Sequence, residues 1–194
     1  MTCLKLAVGW KRLETNTHAM IHLQRITTEY VDTEDRIRLS GEAEENETIV
    51  LWLTQRLLSQ VISHLLRLIE KQSLNLANTD SSSLMQGFEQ QLAQAQLAPG
   101  LPVQTTATAQ SWLILEVDIS LSPEGTLVLV FKRGTDSAAL LEGAGKATLT
   151  IEAKQLRQWL GIVHAQWQRA GWPLTLWPTW MDEKSPSDTA KPLH

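Results

Sequence analysis

The segment covering residues 112–121 constrains the fold most, because apolar and polar side chains alternate along it. Its odd-numbered positions are all aliphatic: Leu113, Leu115, Val117, Ile119 and Leu121. Successive side chains of a strand point to opposite faces, so this period predicts a β-strand with those five side chains in the core. Residues 122–125 contain a proline and a glycine that favour a turn, and residues 126–132 alternate again. The two segments predict a hairpin.

Other short segments also have the composition of strands. β-Branched and aromatic residues are dense in 21–31, and polar and apolar residues alternate in 36–41. The uninterrupted apolar run in 48–53 predicts a strand covered on both faces. Two more short strands are predicted at 138–142 and 146–151, separated by a glycine-rich turn.

Two main helices are predicted from apolar residues at helical spacing. The first covers about 55–71 and follows Thr54, a suitable N-cap. The second covers about 152–170 and is followed by Gly171 and Pro173, which end helices. Together with the strands, they predict an α+β fold in which an antiparallel sheet or small β-sandwich packs against both helices.

The connection between residues 72 and 102 is glutamine-rich and is interpreted in two ways. One face of a weak helix is formed by Leu84, Phe88, Leu92 and Ala95. The glutamines are equally typical of a low-complexity linker. We favour a short helix, which makes this connection a helical insertion.

The length of 194 residues fits one domain with tails. We assign residues 20–171 to a single α+β domain and 172–194 to a tail rich in tryptophan and proline, disordered at its end. Residues 1–19 show no sustained period and are either a flexible arm or an extension upstream of a true start at Met20. Both interpretations stay open.

Composition excludes several classes of partner. The net charge of −4 and scattered basic residues argue against a nucleic-acid partner. No apolar run approaches the ~20 residues of a membrane span, so no membrane partner is expected. The single cysteine, Cys3, cannot form an intrachain disulfide. A cytoplasmic location is expected.

No motif identifies a catalytic residue, a cofactor site or a metal site. The five histidines lack ligand spacing. The segment 143–148 resembles the end of a phosphate-binding loop, but Leu140 and Ala147 occupy two of its required positions. Glu116 and Asp118 share one strand face, with carboxylates about 6–7 Å apart. They are an alternative polar pair for acid–base chemistry, although solvated strand faces commonly carry such pairs.

Eight tryptophans are the unusual feature of the composition. Trp172, Trp177 and Trp180 follow the last helix, where burial by regular structure does not explain them. The segment 171–181 either folds back on the domain or docks into a partner. With Trp167, these three tryptophans are possible interaction residues.

The order of elements resembles the β-sandwich head domains of the DNA end-joining scaffold and centriolar cartwheel proteins. The likeness lies in the strand 48–53 leading into a helix at Gln55, and in the strands of 112–151 leading into a helix at Glu152. The resemblance implies a non-catalytic dimerisation and assembly module. The long coiled-coil stalk of that superfamily is missing, because the last helix ends at Gly171.

We therefore expect a non-catalytic interaction or assembly module that associates with itself or with another protein. The last helix and the tryptophan-rich tail are the expected contact surfaces. The alternative is a small-molecule-binding protein or enzyme with a pocket between the sheet and helix 55–71, and with Glu116 and Asp118 at its rim.

Overall fold

The computed structural model describes residues 20–44, 47–74, 82–98, 100–106, 108–122, 125–134 and 145–181. The strands in this part are β1 (Ile21–Leu23), β2 (Arg25–Val31), β3 (Arg36–Glu42), β4 (Thr48–Leu53), β5 (Gln110–Leu121), β6 (Leu127–Arg133) and β7 (Lys146–Ile151). The α-helices are α1 (Gln55–Leu74), α2 (Ser82–Ala95) and α3 (Ala153–Arg169). None of these helices is long and apolar enough to cross a membrane.

The predicted α+β fold is confirmed, but the sheet is mixed. Its strand order is β1-β7-β6-β5-β4-β3-β2, with parallel pairing of β4 with β5 and of β1 with β7. We expected an antiparallel sheet or a small sandwich. The difference arises because α1 and α2 return the chain from the end of β4 to the start of β5, and such a crossover makes the two strands parallel.

The sheet curls into a half-barrel because its first two strands lie at opposite ends of the strand order. Only Gln24 separates β1 from β2, so the two ends of the sheet must approach each other. The amide of Gln24 donates to the carbonyl of Glu42 at 2.8 Å. A Cβ at Gly41 would lie 2.7 Å from a methyl group of Leu23, so glycine makes room for this corner. The predicted single strand over 21–31 is therefore wrong; it is two strands with different partners.

The core lies on the inner face of the curled sheet, against α1 and α3. Inward residues meet across the strands, as where Leu51 of β4 pairs with Leu39 on one side and Trp112 on the other. α1 contributes a broad buried stripe and begins where the side chain of Thr54 accepts from the amide of Leu57. α3 contributes Leu156, Trp159, Leu160, Val163 and Trp167. All of these side chains belong to one continuous cluster.

The prediction that five aliphatic side chains of β5 face the core is only partly correct. Leu113 and Leu115 are exposed, while their neighbours Trp112 and Ile114 are buried. The cause is a β-bulge: Ile114 pairs with Arg133, but the next residue of β6, Lys132, pairs with Glu116, leaving Leu115 as an extra residue. One extra residue reverses which side chains face inward. Val117 and Ile119, beyond the bulge, do pack against the core. Leu121, the last of the five predicted core residues, is 45% exposed at the end of the strand.

The tryptophan-rich segment folds back on the domain, which was one of the two predicted outcomes. Gly171 adopts a positive φ of 67° after α3, as expected of a C-cap glycine. Trp172, Trp177 and Trp180 are then all buried in the core. Three other predictions lie outside the described residues: the strand at 138–142, the arm at 1–19 and the disorder after about residue 182.

Candidate interaction surface on helix α2

α2 places its polar side toward the protein and its apolar side toward solvent. Gln86, Gln90 and Gln94 recur every four residues on one side, and Gln86 and Gln90 are buried. Leu84, Phe88 and Leu92 recur every four residues on the opposite side and are exposed. A helix on a globular domain normally has the reverse orientation.

Glutamine amides hold α2 against α3. Gln90 Nε2 donates to the carbonyl of Arg157 at 2.9 Å, and Gln94 Nε2 lies 3.2 Å from that same carbonyl and 3.3 Å from the carbonyl of Gln158. In the other direction, Gln158 Nε2 donates to the carbonyl of Ala93 at 3.0 Å. Buried amides are stable only when they are hydrogen-bonded, so these contacts fix which side of α2 faces inward.

A charged pair adds to this polar contact. The guanidinium of Arg157 donates to Gln86 Oε1 at 2.7 Å and forms an ion pair with Glu89. Burial lowers the pKa of Arg157 from its ordinary value, and the nearby charge of Glu89 acts in the opposite direction. A guanidinium stays charged in proteins, so turning α2 over would leave this charge buried without its carboxylate.

Gly161 of α3 allows the two helices to approach closely. A Cβ at this position would lie 2.0 Å from Gln94 Nε2 and 2.6 Å from Gln94 Cδ. Only a residue without a side chain leaves room for the Gln94 amide at this point of α3. The close approach therefore depends on one glycine and one glutamine.

The opposite side of α2 is a continuous apolar surface, which we call the α2 apolar face. It consists of Leu84, Met85, Phe88 and Leu92. Leu84 and Phe88 are the most exposed of the four, at 70% and 63%. The only charged residue of α2 is Glu89, which is paired with Arg157. Exposed apolar patches are common at sites that contact proteins, membranes or ligands.

Comparison with protein families, curated proteins and solved structures finds no match for this chain.

The sequence carries a signal for this surface in the spacing of its glutamines. Leu84, Phe88 and Leu92 were predicted to share a helix face, and the structure confirms the helix. The intervening glutamines left a low-complexity linker as the alternative to this helix. Their own four-residue spacing was the signal of a second, hydrogen-bonding face.

The four tryptophans predicted as interaction residues form part of the interior. Trp167 makes edge-to-face contacts with Trp172, at 4.9 Å between ring centroids, and with Trp177, at 5.8 Å. Trp167 Nε1 donates to the carbonyl of Pro173, and Trp172 Nε1 donates to Asp35 Oδ1. Trp180 is also buried. Because their rings are covered by the chain's own residues, these side chains present almost no surface to a partner.

Glu116 and Asp118 lie where they were predicted, beside a groove between the sheet and α1. The groove has a volume of about 550 Å3. Both carboxylates are mostly exposed and share one cation: Lys132 Nζ lies 2.7 Å from Asp118 Oδ2 and 3.2 Å from Glu116 Oε1. Hydrogen bonds to Asp118 and then to Glu116 raise the pKa of Lys132. The groove therefore carries fixed charges at its rim. The described residues contain no group of three or more potential metal ligands.

Proposed function

We propose that this protein is a non-catalytic assembly module that forms a homodimer through the α2 apolar face. The observation that carries the proposal is the inverted orientation of α2, whose glutamine side is buried and whose apolar side is in solvent. Burial of a Leu, Met or Phe side chain contributes about 1.5–3 kcal/mol. A protein that leaves four such side chains on one helix exposed gains stability when a partner covers them.

A second copy of the chain is the partner that fits this surface best. The α2 apolar face contains no charged residue, so two copies packed across a twofold axis bring no like charges together. A face of apolar side chains alone is also complementary to itself. The resemblance to dimerising head domains supports the same activity.

The expected dimer is weak. Each side chain of the face is about half exposed, so its burial contributes about 1 kcal/mol, or about 8 kcal/mol for the eight side chains of two copies. Association costs at least about 4 kcal/mol, which leaves a dissociation constant near millimolar from these side chains alone. Leu97 and Leu101 follow α2 and are exposed as well. Their burial in the same contact would lower the dissociation constant of the dimer toward the micromolar range.

Sedimentation velocity of the full chain, from low micromolar to submillimolar concentration, tests the proposal. The wild type is expected to shift from monomer to dimer, and Phe88→Glu is expected to remain monomeric. Leu174→Glu is the matched control, because Leu174 is an exposed apolar residue outside α2. A wild type that is monomeric throughout, or a dimer that Phe88→Glu leaves intact, would refute self-association through α2. A cytoplasmic location remains a prediction from the sequence.

A further inference from the structure

β5 is longer than its neighbour β4, and this leaves one of its edges open. β4 ends at Leu53 and pairs with β5 only as far as Leu113. β5 continues to Leu121, paired with β6 along its other edge. In the described part of the chain, no strand lies beside residues 114–121 on the β4 side. Among the described residues, the position that a longer β4 would occupy therefore holds no strand.

The backbone along this edge is available for pairing. Every second residue of a strand directs its N–H and C=O groups away from a given neighbour, and so toward the open side. Apart from the pairing with β6, no backbone hydrogen bond among the described residues engages residues 116–121. An unpaired strand edge of this kind is a template for adding a strand.

A helix forms the opposite wall of this edge, which makes a groove of about 550 Å3. α1 contributes Leu57, Gln60, Val61 and His64, and β5 contributes residues 115–119. Leu115 is 61% exposed, and Val117 and Ile119 are half-buried. A groove between a strand edge and a helix has the shape in which extended peptides bind by strand addition.

The charged side chains at the rim of the groove determine which kind of peptide fits it. Glu116 and Asp118 alternate with the apolar residues of β5, and Lys132 neutralises one of the two negative charges. Pairing two copies of β5 would place these carboxylates close to one another, and like charges opposite each other destabilise a strand pair. A segment with lysine or arginine at the intervening positions meets them with opposite charge.

We propose that this groove binds an extended segment of a partner protein, in which apolar residues alternate with lysine or arginine, as an added strand on β5. Main-chain hydrogen bonds to residues 116–121 supply the pairing. Leu57 of α1 and the half-buried Val117 and Ile119 of β5 contact the apolar side chains of the segment. Glu116 and Asp118 contact its basic ones. This site is on different elements from the α2 apolar face, so it stands independently of the proposed dimer.

Two synthetic peptides test the proposal against the full chain by fluorescence anisotropy. The probe Leu-Lys-Val-Lys-Ile-Lys-Leu repeats the apolar pattern of β5 with lysine at the intervening positions, and its control has glutamate there. The lysine peptide is expected to bind, and the glutamate peptide to bind at least about tenfold more weakly, because its charges meet carboxylates. Added salt should weaken binding of the lysine peptide.

A double variant and hydrogen exchange locate the site. Glu116→Gln with Asp118→Asn should weaken the lysine peptide by about tenfold, the effect of two exposed ion pairs. Asp32→Asn with Glu34→Gln is the matched control, on exposed carboxylates of another element. Bound peptide should slow amide exchange in residues 116–121 and leave α2 unchanged. Absence of binding, equal affinity for both peptides, no effect of the double variant, or protection elsewhere would overturn the proposal.

Discussion

The contact between Gly161 and Gln94 predicts that a single methyl group loosens α2. In Gly161→Ala, the new Cβ would lie 2.0 Å from Gln94 Nε2, so the amide must turn away. It then loses its contacts with the carbonyls of Arg157 and Gln158, at 3.2 and 3.3 Å. Each hydrogen bond contributes about 1 kcal/mol, so about 2 kcal/mol is lost. Replacing glycine by alanine inside a helix returns about 0.5–1 kcal/mol. We expect a net loss of stability of about 1 kcal/mol.

A double-mutant cycle separates the steric clash with the Gln94 amide from the effect of alanine on helix propensity. In a Gln94→Ala background no amide stands in the way, so Gly161→Ala should stabilise the protein by about 0.5–1 kcal/mol. The sign of the effect therefore reverses, with a coupling energy of about 2 kcal/mol. Urea unfolding followed by tryptophan fluorescence gives all four free energies. If Gly161→Ala has the same sign in both backgrounds, α2 does not rest on α3 as described.

Two further predictions concern the tail and the rim of the β5 groove. Trp172→Phe removes the hydrogen bond from Nε1 to Asp35 Oδ1, which is 3.1 Å long, together with part of a buried ring, so it should cost about 2 kcal/mol in urea unfolding. Trp172→Ala should cost about 3–5 kcal/mol. Equal losses would contradict the packing of this ring. The pKa of Lys132 is raised above its ordinary value of 10.5, so its stabilising contribution is complete below that pH and is lost as pH rises through the higher folded value. Titration of Lys132 by NMR should show a higher pKa in the wild type than in Glu116→Gln with Asp118→Asn, and an unchanged pKa would show that neither carboxylate holds the ammonium.

Local patterns were sufficient for most of the elements. The strands at 36–41, 48–53, 126–132 and 146–151 are confirmed because each carries its own alternation or apolar run. The helices predicted at 55–71 and 152–170 are confirmed because a stripe of apolar residues and a cap residue define each one. Residues 21–31 did not follow this rule, since the break at Gln24 depends on where the distant strands β3 and β7 lie.

The candidate surface was harder to predict than the elements. Periodicity places Leu84, Phe88 and Leu92 on one side of α2, but it does not say which side faces the protein. That choice depends on carbonyls and a guanidinium of α3, at Arg157 and Gln158, more than sixty residues later in the chain. An apolar stripe is normally assigned to the core, and here the amides opposite it determine the orientation.

The β-bulge in β5 leads to a prediction about the effect of deleting one residue from this strand. Leu115 is the one residue of the bulge without a partner on β6, so deleting it would leave Ile114 opposite Arg133 and Glu116 opposite Lys132 as consecutive pairs. Trp112, Ile114 and Val117 would then alternate regularly on the inner face, and we expect stability within roughly 1 kcal/mol of the wild type.

Deleting Leu113 is the matched control, because it removes an exposed leucine from the regular part of the same strand. That deletion must turn Trp112 out of the core or shift its pairing with Leu51 of β4, and losing a buried tryptophan costs about 3–5 kcal/mol. Urea unfolding of the two deletions compares these costs directly. Equal destabilisation would mean that Leu115 is not the extra residue, and the assignment of Leu113 and Leu115 to the outer face would then fail.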